Sequence, residues 1–231
     1  MPNNLNDKNL EKVKRVYSFW GKFPSLYNAQ DAITFLGKAK TIRSLAVEKM
    51  GLKKGDKVLE VACGSGRNFP YLVEAVGKGG FILGFDYSQE MLVAAKQLCE
   101  RNNWENVKLV HGDAARLEIN KNGFDGVLSV LGISAIPDWE KALQRCYDVL
   151  RPGGKLVVCD ARLFTGFLKI LNPLVRRIYS KFAAWDSSKN IPEKMKEIFR
   201  NITIKNYNME TFFIAVSTKS LSPNALLERS F

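Results

Sequence analysis

Histidine is almost missing from this chain of 231 residues: His111 stands alone. The four cysteines, Cys63, Cys99, Cys146 and Cys159, are scattered. No CxxC pair and no Cys/His cluster with zinc-like spacing occurs, so no structural zinc or disulfide framework is expected, and no metal is assigned. Acids are also short, 23 against 35 Lys and Arg, which leaves a formal net charge of +12. That excess favours nucleic acid, an acidic membrane surface or a phosphorylated substrate, with a merely soluble basic surface as the alternative. The opening MPNNLNDKNLEKVKR has no apolar signal core. No uninterrupted apolar run reaches the roughly 18 residues of a membrane span. Reduced thiols and a cytoplasmic location are therefore expected. Repeats and low-complexity tracts are absent. The pattern GxxxxGK[ST] is absent too, which argues against ATP chemistry.

What remains is ordinary globular composition, 46% hydrophobic and 25% charged, for one large domain. Val13, Tyr17 and Trp20 share one face of a helix over Leu10–Trp20, and a second helix is predicted over Ala29–Met50, ending at Gly51. From Lys57 strands and helices alternate. KVLEVA, GGFILGFD, VKLVHGD, FDGVLSVL and KLVVCD read as strands, and Asn68–Val76, Gln89–Asn102 and Trp139–Leu150 as helices. Apolar runs of this length suit parallel strands covered on both faces, and the βαβ order predicts an open, doubly wound α/β sheet. NITIKNYN and METFFIAVSTKS lie too close together for a crossover, so they form an antiparallel C-terminal hairpin. The expected layout is one domain: N-terminal helices over 1–50, a ligand-binding core over 57–160, a helical insertion over 162–199 and a closing hairpin over 200–220.

The stretch VLEVACGSGRNFPYL places Glu60, Gly64 and Gly66 between a strand and a helix, where small residues allow a tight turn and close ligand approach. A dinucleotide loop would need a third glycine where Phe69 stands, which weighs against a nicotinamide-dependent oxidoreductase. Asp86 follows Gly66 by 20 residues at the end of the second strand, where a carboxylate accepts both hydroxyls of a ribose. Asp113 ends the third strand in HGDA and can accept from an adenine amino group. One loop and two strand-end acids describe a nucleoside site with no pyrophosphate requirement.

In this combination the chain resembles the class I S-adenosylmethionine-dependent methyltransferases, whose fold is a Rossmann-like sheet of seven strands. VLEVACGSG matches the first motif, with Ala62 in place of a frequent glycine. GFDYSQEMLVAAK resembles the second motif, HGDA the third, FDGVLSVLGISAIPDW the fourth-strand segment and LRPGGKLVV the turn and strand that follow. The resemblance implies S-adenosyl-L-methionine as cofactor. It implies that Glu60, Ala62, Gly64, Gly66 and Asn68 form the floor under the methionine portion. Asp86 would take the ribose, Tyr87 and Met91 would flank the adenine, Asp113 and Ala114 would reach its edge, and Val130 would lie beside the sulfonium. Ala62 should face the cofactor closely enough for one methyl group to matter.

Methyl transfer from a sulfonium needs alignment and desolvation more than covalent help, so no catalytic residue is assigned. A structural role is preferred for His111. Tyr17 and Tyr27 are placed either in the acceptor pocket or as core aromatics. No Asn/Asp-Pro-Pro-aromatic turn and no Pro-Cys nucleophile follows strand four, so nucleic acid is disfavoured, with an RNA methyltransferase kept as an alternative. The insertion RLFTGFLKILNPLVRRIYSKFAAW carries apolar residues at helical spacing, five cations and no acid, with Pro173 expected to kink or split the helix. Such a helix either lids the pocket or contacts an anionic membrane peripherally. WGKFPSLYN, the insertion and FFIAVSTK resemble the branch that holds the ubiquinone and menaquinone C-methyltransferases and the bacterial phospholipid N-methyltransferases. The quinone enzymes typically carry arginine after strand four, where this chain has Ser134. That departure turns the expectation toward a phospholipid amine or another small lipid-like acceptor. Oligomeric state is left open.

Overall fold

The computed structural model describes residues 4–119 and 121–221, without the side chains of residues 4–8, Pro24, Ser25, Tyr27, Asn28 and Asp31. Three helices lead, α1 (Asn4–Lys22), α2 (Pro24–Thr34) and α3 (Ala39–Met50). The alternating core follows as β1 (Lys57–Val61), α4 (Phe69–Val76), β2 (Phe81–Asp86), α5 (Gln89–Arg101), β3 (Val107–His111), β4 (Phe124–Val130), α6 (Trp139–Val149) and β5 (Leu150–Ala161). The chain closes with α7 (Asn172–Phe182), α8 (Ile191–Phe199), β6 (Thr203–Tyr207) and β7 (Phe212–Thr218).

The sheet has seven strands in the order β3-β2-β1-β4-β5-β7-β6. Strands β1 to β5 pair in parallel, β7 runs antiparallel to β5, and β6 antiparallel to β7. The expected Rossmann-like sheet with an antiparallel C-terminal hairpin is present. Only β7 is reversed, slotted between β5 and the edge strand β6. Successive strand residues point to opposite faces, and both faces are buried here. Val58, Ile82, Leu128 and Val157 pack with α3, α4 and α5. Their neighbours Leu59, Leu83, Val127 and Val158 pack with α6 and α8. β1 and β4 are neighbours that continue outward in opposite directions, so a crevice opens beyond their carboxyl ends.

One expectation about the helices is corrected. The single helix over Ala29–Met50 is broken, because Leu36 and Gly37 take φ of 49° and 77°. Phe35 is drawn fully into the core, stacked on Phe212 at 4.6 Å. Burying that ring outweighs continuing the helix across a glycine. The expected split of the insertion at Pro173 is present. The proline stands in the first turn of α7, where its missing N–H costs nothing, after a 3-10 segment over Gly166–Leu171.

Candidate active site

The loop after β1 is built from left-handed residues: Ala62, Gly64 and Gly66 have φ of 55°, 55° and 80°. Asp86, at the end of β2, fastens it by accepting from Gly64 N at 2.7 Å and Ser88 N at 2.8 Å. Phe69 fills the space that a third glycine would leave open. A Cβ at Gly66 would lie 2.5 Å from its ring, and one at Gly84 2.7 Å from it. Those glycines therefore serve the packing of α4 on the sheet through an aromatic ring.

The cost at Ala62 lies in its backbone as well as in its space. An L-residue in this region costs roughly 1–2 kcal/mol, and a Cβ at Gly132 would lie 2.6 Å from that of Ala62. Ala62→Gly is therefore expected to raise stability by about 1 kcal/mol and to leave S-adenosylhomocysteine affinity equal or better. A lower melting temperature would show that the loop carries no such strain.

Beneath the loop runs a buried polar chain. Arg43 from α3 donates to Asn68 Oδ1 at 2.9 Å, and Asn68 Nδ2 donates to Glu60 Oε1 at 2.5 Å. Glu60 Oε2 is buried with no hydrogen-bond partner among the described residues. Burial pushes the Glu60 carboxyl up to about 8, against the pull of Asn68 and Arg43 and with a small upward push from Asp86. Arg43 escaped the sequence reading. Its signal was an arginine sharing one helix face with Ala46, Val47 and Met50, an inward position where a charge needs a purpose.

One cleft brings together Tyr17, Ala62, Gly64, Asn68, Asp86, Tyr87, Asp113, Ala114 and Val130, all singled out from sequence, with Arg43 and Arg67 added. Asp113 holds its place by accepting from Ala115 N at 2.9 Å. Cys63 is a neutral part of this wall, since burial pushes its thiol well above the ordinary range. Glu60 and Gly66 lie below the cleft. Met91 does not flank it: the side chain is fully buried, and its N–H donates to Ser88 Oγ at 3.3 Å. There α1 packs so closely that a Cβ at Gly21 would be 2.9 Å from Met91 N. His111 is exposed outside the cleft, with Nε2 2.9 Å from the Tyr87 carbonyl. The side chain of Tyr27 lies outside the described residues.

A second chamber adjoins the first through their shared walls Tyr17 and Leu131, and adds Trp20, Ser134 and Phe182. Ser134 is held by Asp160, which accepts from its Oγ at 2.7 Å and its N at 3.0 Å. Burial raises the Asp160 carboxyl above its ordinary value despite these bonds. Lys189 reaches over from the segment between α7 and α8 and donates to the carbonyls of Ser134 and Ile136, both at 2.7 Å. Burial pushes this ammonium down to about 8, while Asp186 and Asp160 pull it up. A third chamber shares Thr34, Ala161, Tyr179 and Trp185 with the second and ends at Ile33 and Leu36. Ile33 is 71% exposed, so this end opens to solvent. Above, α1 is tied to α7 by Tyr17 and Trp20, which donate to the carbonyls of Ala183 and Phe182 at 3.1 and 2.7 Å.

Two acceptor carboxylates at strand ends, a loop of left-handed residues and an unpartnered buried carboxylate oxygen fit a cationic amino-acid nucleoside such as S-adenosylmethionine. Residues 5–185 match the profile of the ubiE/COQ5 methyltransferase family. The demethylmenaquinone methyltransferase of Oceanobacillus iheyensis is 30% identical over 218 residues, covering 87% of this chain and 91% of that protein. Among solved structures, the putative methyltransferase in complex with the Haloferax volcanii Trm112 activator superposes with a TM-score of 0.68 at 16% identity, over 88% of this chain and 97% of that one. The Haemonchus contortus phosphoethanolamine N-methyltransferase 2, solved with phosphomonomethylethanolamine and S-adenosylhomocysteine, gives 0.65 at 19% identity, over 77% of this chain and 52% of that one.

Proposed function

The chain belongs to the ubiE/COQ5 methyltransferase family, and from that premise we propose that it methylates a demethylmenaquinone-like quinol, a small aromatic ring carrying a long apolar tail. It is a methyltransferase that depends on S-adenosylmethionine. The observation that carries the acceptor reading is the line of three connected chambers, from the cofactor cleft to the surface at Ile33 and Leu36. The walls of the second chamber are mainly aromatic and apolar. A quinol ring suits those walls, and its tail suits the third chamber.

The cofactor supplies an activated methyl group on a sulfonium. The protein's task is to align the acceptor, exclude water and accept a proton. Tyr17 and Leu131 stand at the passage between cofactor and acceptor. Ser134 Oγ donates to Asp160 and can itself accept from an acceptor hydroxyl. Asp160 behind it, with its raised proton affinity, takes the proton of the quinol hydroxyl through Ser134; once the ring carbon carries the methyl, its own C–H proton is lost and the hydroxyl is restored, so the net yield is one proton. The cation that the quinone enzymes typically place after strand four as arginine arrives here by another route, as Lys189 on the carbonyls of Ser134 and Ile136.

The tail end of this route lies beside an unpartnered apolar stripe. Phe167 and Ile170 are 87% and 84% exposed, followed by Leu174 and Ile178. Leu174 and Ile178 each precede a residue of the third chamber, Val175 and Tyr179. Lys169, Arg176, Arg177 and Lys181 flank the stripe, with no acid from Arg162 to Trp185. An apolar stripe edged only by cations is complementary to an anionic bilayer, which also stores tailed quinols. Among the described residues no helix is long and apolar enough to cross a membrane, so the contact is peripheral.

The test is transfer of labelled methyl into demethylmenaquinol and, in parallel, into phosphatidylethanolamine. Label is expected in the quinol alone, and label in the amine alone would overturn the reading. Thr34→Trp, on the wall shared by the second and third chambers, should lower kcat/KM for the tailed quinol about tenfold or more. A tailless naphthoquinol and the affinity for S-adenosylhomocysteine should be unaffected.

A further inference from the structure

A fourth cavity takes no part in this chemistry. It is a polar cleft of about 430 Å³ between α1 and α7 that adjoins the cofactor cleft along Val13, Ala135 and Pro137, which line both. Its walls carry Lys12 from α1, Arg176 and Arg177 from α7, and Lys189 from the following segment, against the single carboxylate of Asp186. With Asp160 also acting on Lys189, the four cations face two carboxylates, and an excess of two positive charges remains. Among the described residues Lys12, Arg176 and Arg177 form no ion pair with any acid. Ser180 and Ser187 add hydroxyl donors to the same walls.

This concentration of donors is hard to explain as a solvated basic face. On a helix turning about 100° per residue, Arg177 and Ser180 fall on the side away from the groove-lining Val175 and Tyr179, with Arg176 between the two sides, and all three line the cleft. They face α1, which brings a further cation toward them. Like charges converging on one cleft repel each other, so the arrangement costs stability until an anion enters. A compact tetrahedral anion with several acceptor oxygens matches guanidinium, ammonium and hydroxyl donors together. The acceptor is an uncharged ring and its tail is apolar, so neither meets this need. A carboxylate bound in the other cleft would meet Arg43 and Arg67, which line it.

We propose that this cleft binds the phosphate of an anionic phospholipid headgroup. The exposed stripe Leu174, Ile178 and Phe182 lies on the same helix, turned aside from Arg176 and Arg177. A headgroup held in the cleft would therefore fix α7 at the bilayer surface with the stripe in the acyl boundary and the tail groove at its edge. The assignment rests on the proposed function, on its membrane side and on its uncharged acceptor, since an acceptor with its own phosphate would fill the cleft itself.

The test uses the full chain and vesicles of phosphatidylcholine with phosphatidylglycerol, without acceptor. Wild type should sediment with them. Arg176→Gln/Arg177→Gln should lower the partition coefficient on the order of tenfold or more, and Lys12→Gln, from the opposite wall, several-fold. Lys53→Gln/Lys78→Gln removes the same charge at the far, amino-terminal end of the sheet and should retain most of the binding. Glycerol phosphate should compete with vesicles for wild type, but not for the arginine variant. Unchanged binding of S-adenosylhomocysteine would show that each variant is folded. Equal losses in the two double variants would reduce the effect to diffuse charge and overturn the site. Arginine-dependent binding of inorganic phosphate, with vesicle binding indifferent to both arginines, would overturn the lipid assignment in favour of a soluble phosphate. Methyl transfer to detergent-dispersed quinol, measured separately, tells failure here from failure of the acceptor reading.

Discussion

Replacing Asp86 by alanine is expected to weaken binding of S-adenosylhomocysteine about a hundredfold or more, measured by calorimetry. The carboxylate stands at the end of β2 and accepts the amides of Gly64 and Ser88, with oxygen capacity left for a ribose diol. Two hydrogen bonds to an ionised group are worth roughly 1.5–3 kcal/mol each. Their loss alone accounts for the hundredfold. The same substitution also removes the acceptor that holds Gly64 in its left-handed turn, so the loop loses its order before ligand arrives. Asp113→Ala should cost less, because that side chain binds the protein through one amide, Ala115 N, and offers a single edge contact. If Asp86→Ala bound within threefold of wild type, a factor small beside a single lost hydrogen bond, the ribose would lie elsewhere.

Local sequence carried this part of the site because its chemistry is local. A strand, a turn of small residues and a helix must follow one another, and acids at strand ends are placed by the strands that precede them. The acceptor chambers were illegible for the opposite reason. They are assembled from α1, α2, the turn after β4 and the segment around α7, which lie far apart in the chain. Tyr17 and Ser134 were anticipated there only through resemblance. Trp20, Asp160, Trp185 and Lys189 were not, since nothing in their neighbourhoods distinguishes them from core or surface residues. Met91 is enclosed where Gly21 lets α1 pack closely on α5. The break between α2 and α3 was hidden by a helix-compatible pattern that tertiary packing of Phe35 overrides. The basic, acid-free insertion was legible as composition, but its division into a groove wall, an exposed stripe and a cationic cleft wall needed the helix to be placed.

Binding of S-adenosylhomocysteine should strengthen about tenfold for each pH unit up to pH 8, from the titration of one buried carboxyl. Glu60 ionises at about 8 in the folded protein because burial disfavours its charge, against 4.5 for an ordinary glutamate. Below 4.5 both folded and unfolded chains hold the proton. Between 4.5 and 8 only the folded chain holds it, so the stability this group contributes is lost as pH rises through that window. An ammonium entering above Asn68 reverses the balance, because a nearby cation favours the carboxylate. Binding below pH 8 must then expel a proton from Glu60. Calorimetry in buffers of different ionisation enthalpy should register nearly one proton released per ligand at neutral pH. Glu60→Gln keeps the acceptor for Asn68 and removes the charge. It should abolish both the proton release and the pH slope and stabilise the free protein at pH 8. Its affinity for ligand should fall well below that of wild type at the same pH. A wild-type affinity flat across this range would overturn the proton release; if Glu60→Gln also weakened binding at every pH, Glu60 would be ionised already in the free protein, with Arg43 through Asn68 as its counter-charge. In that case Arg43→Met, and not Glu60→Gln, would be the variant that creates a pH slope.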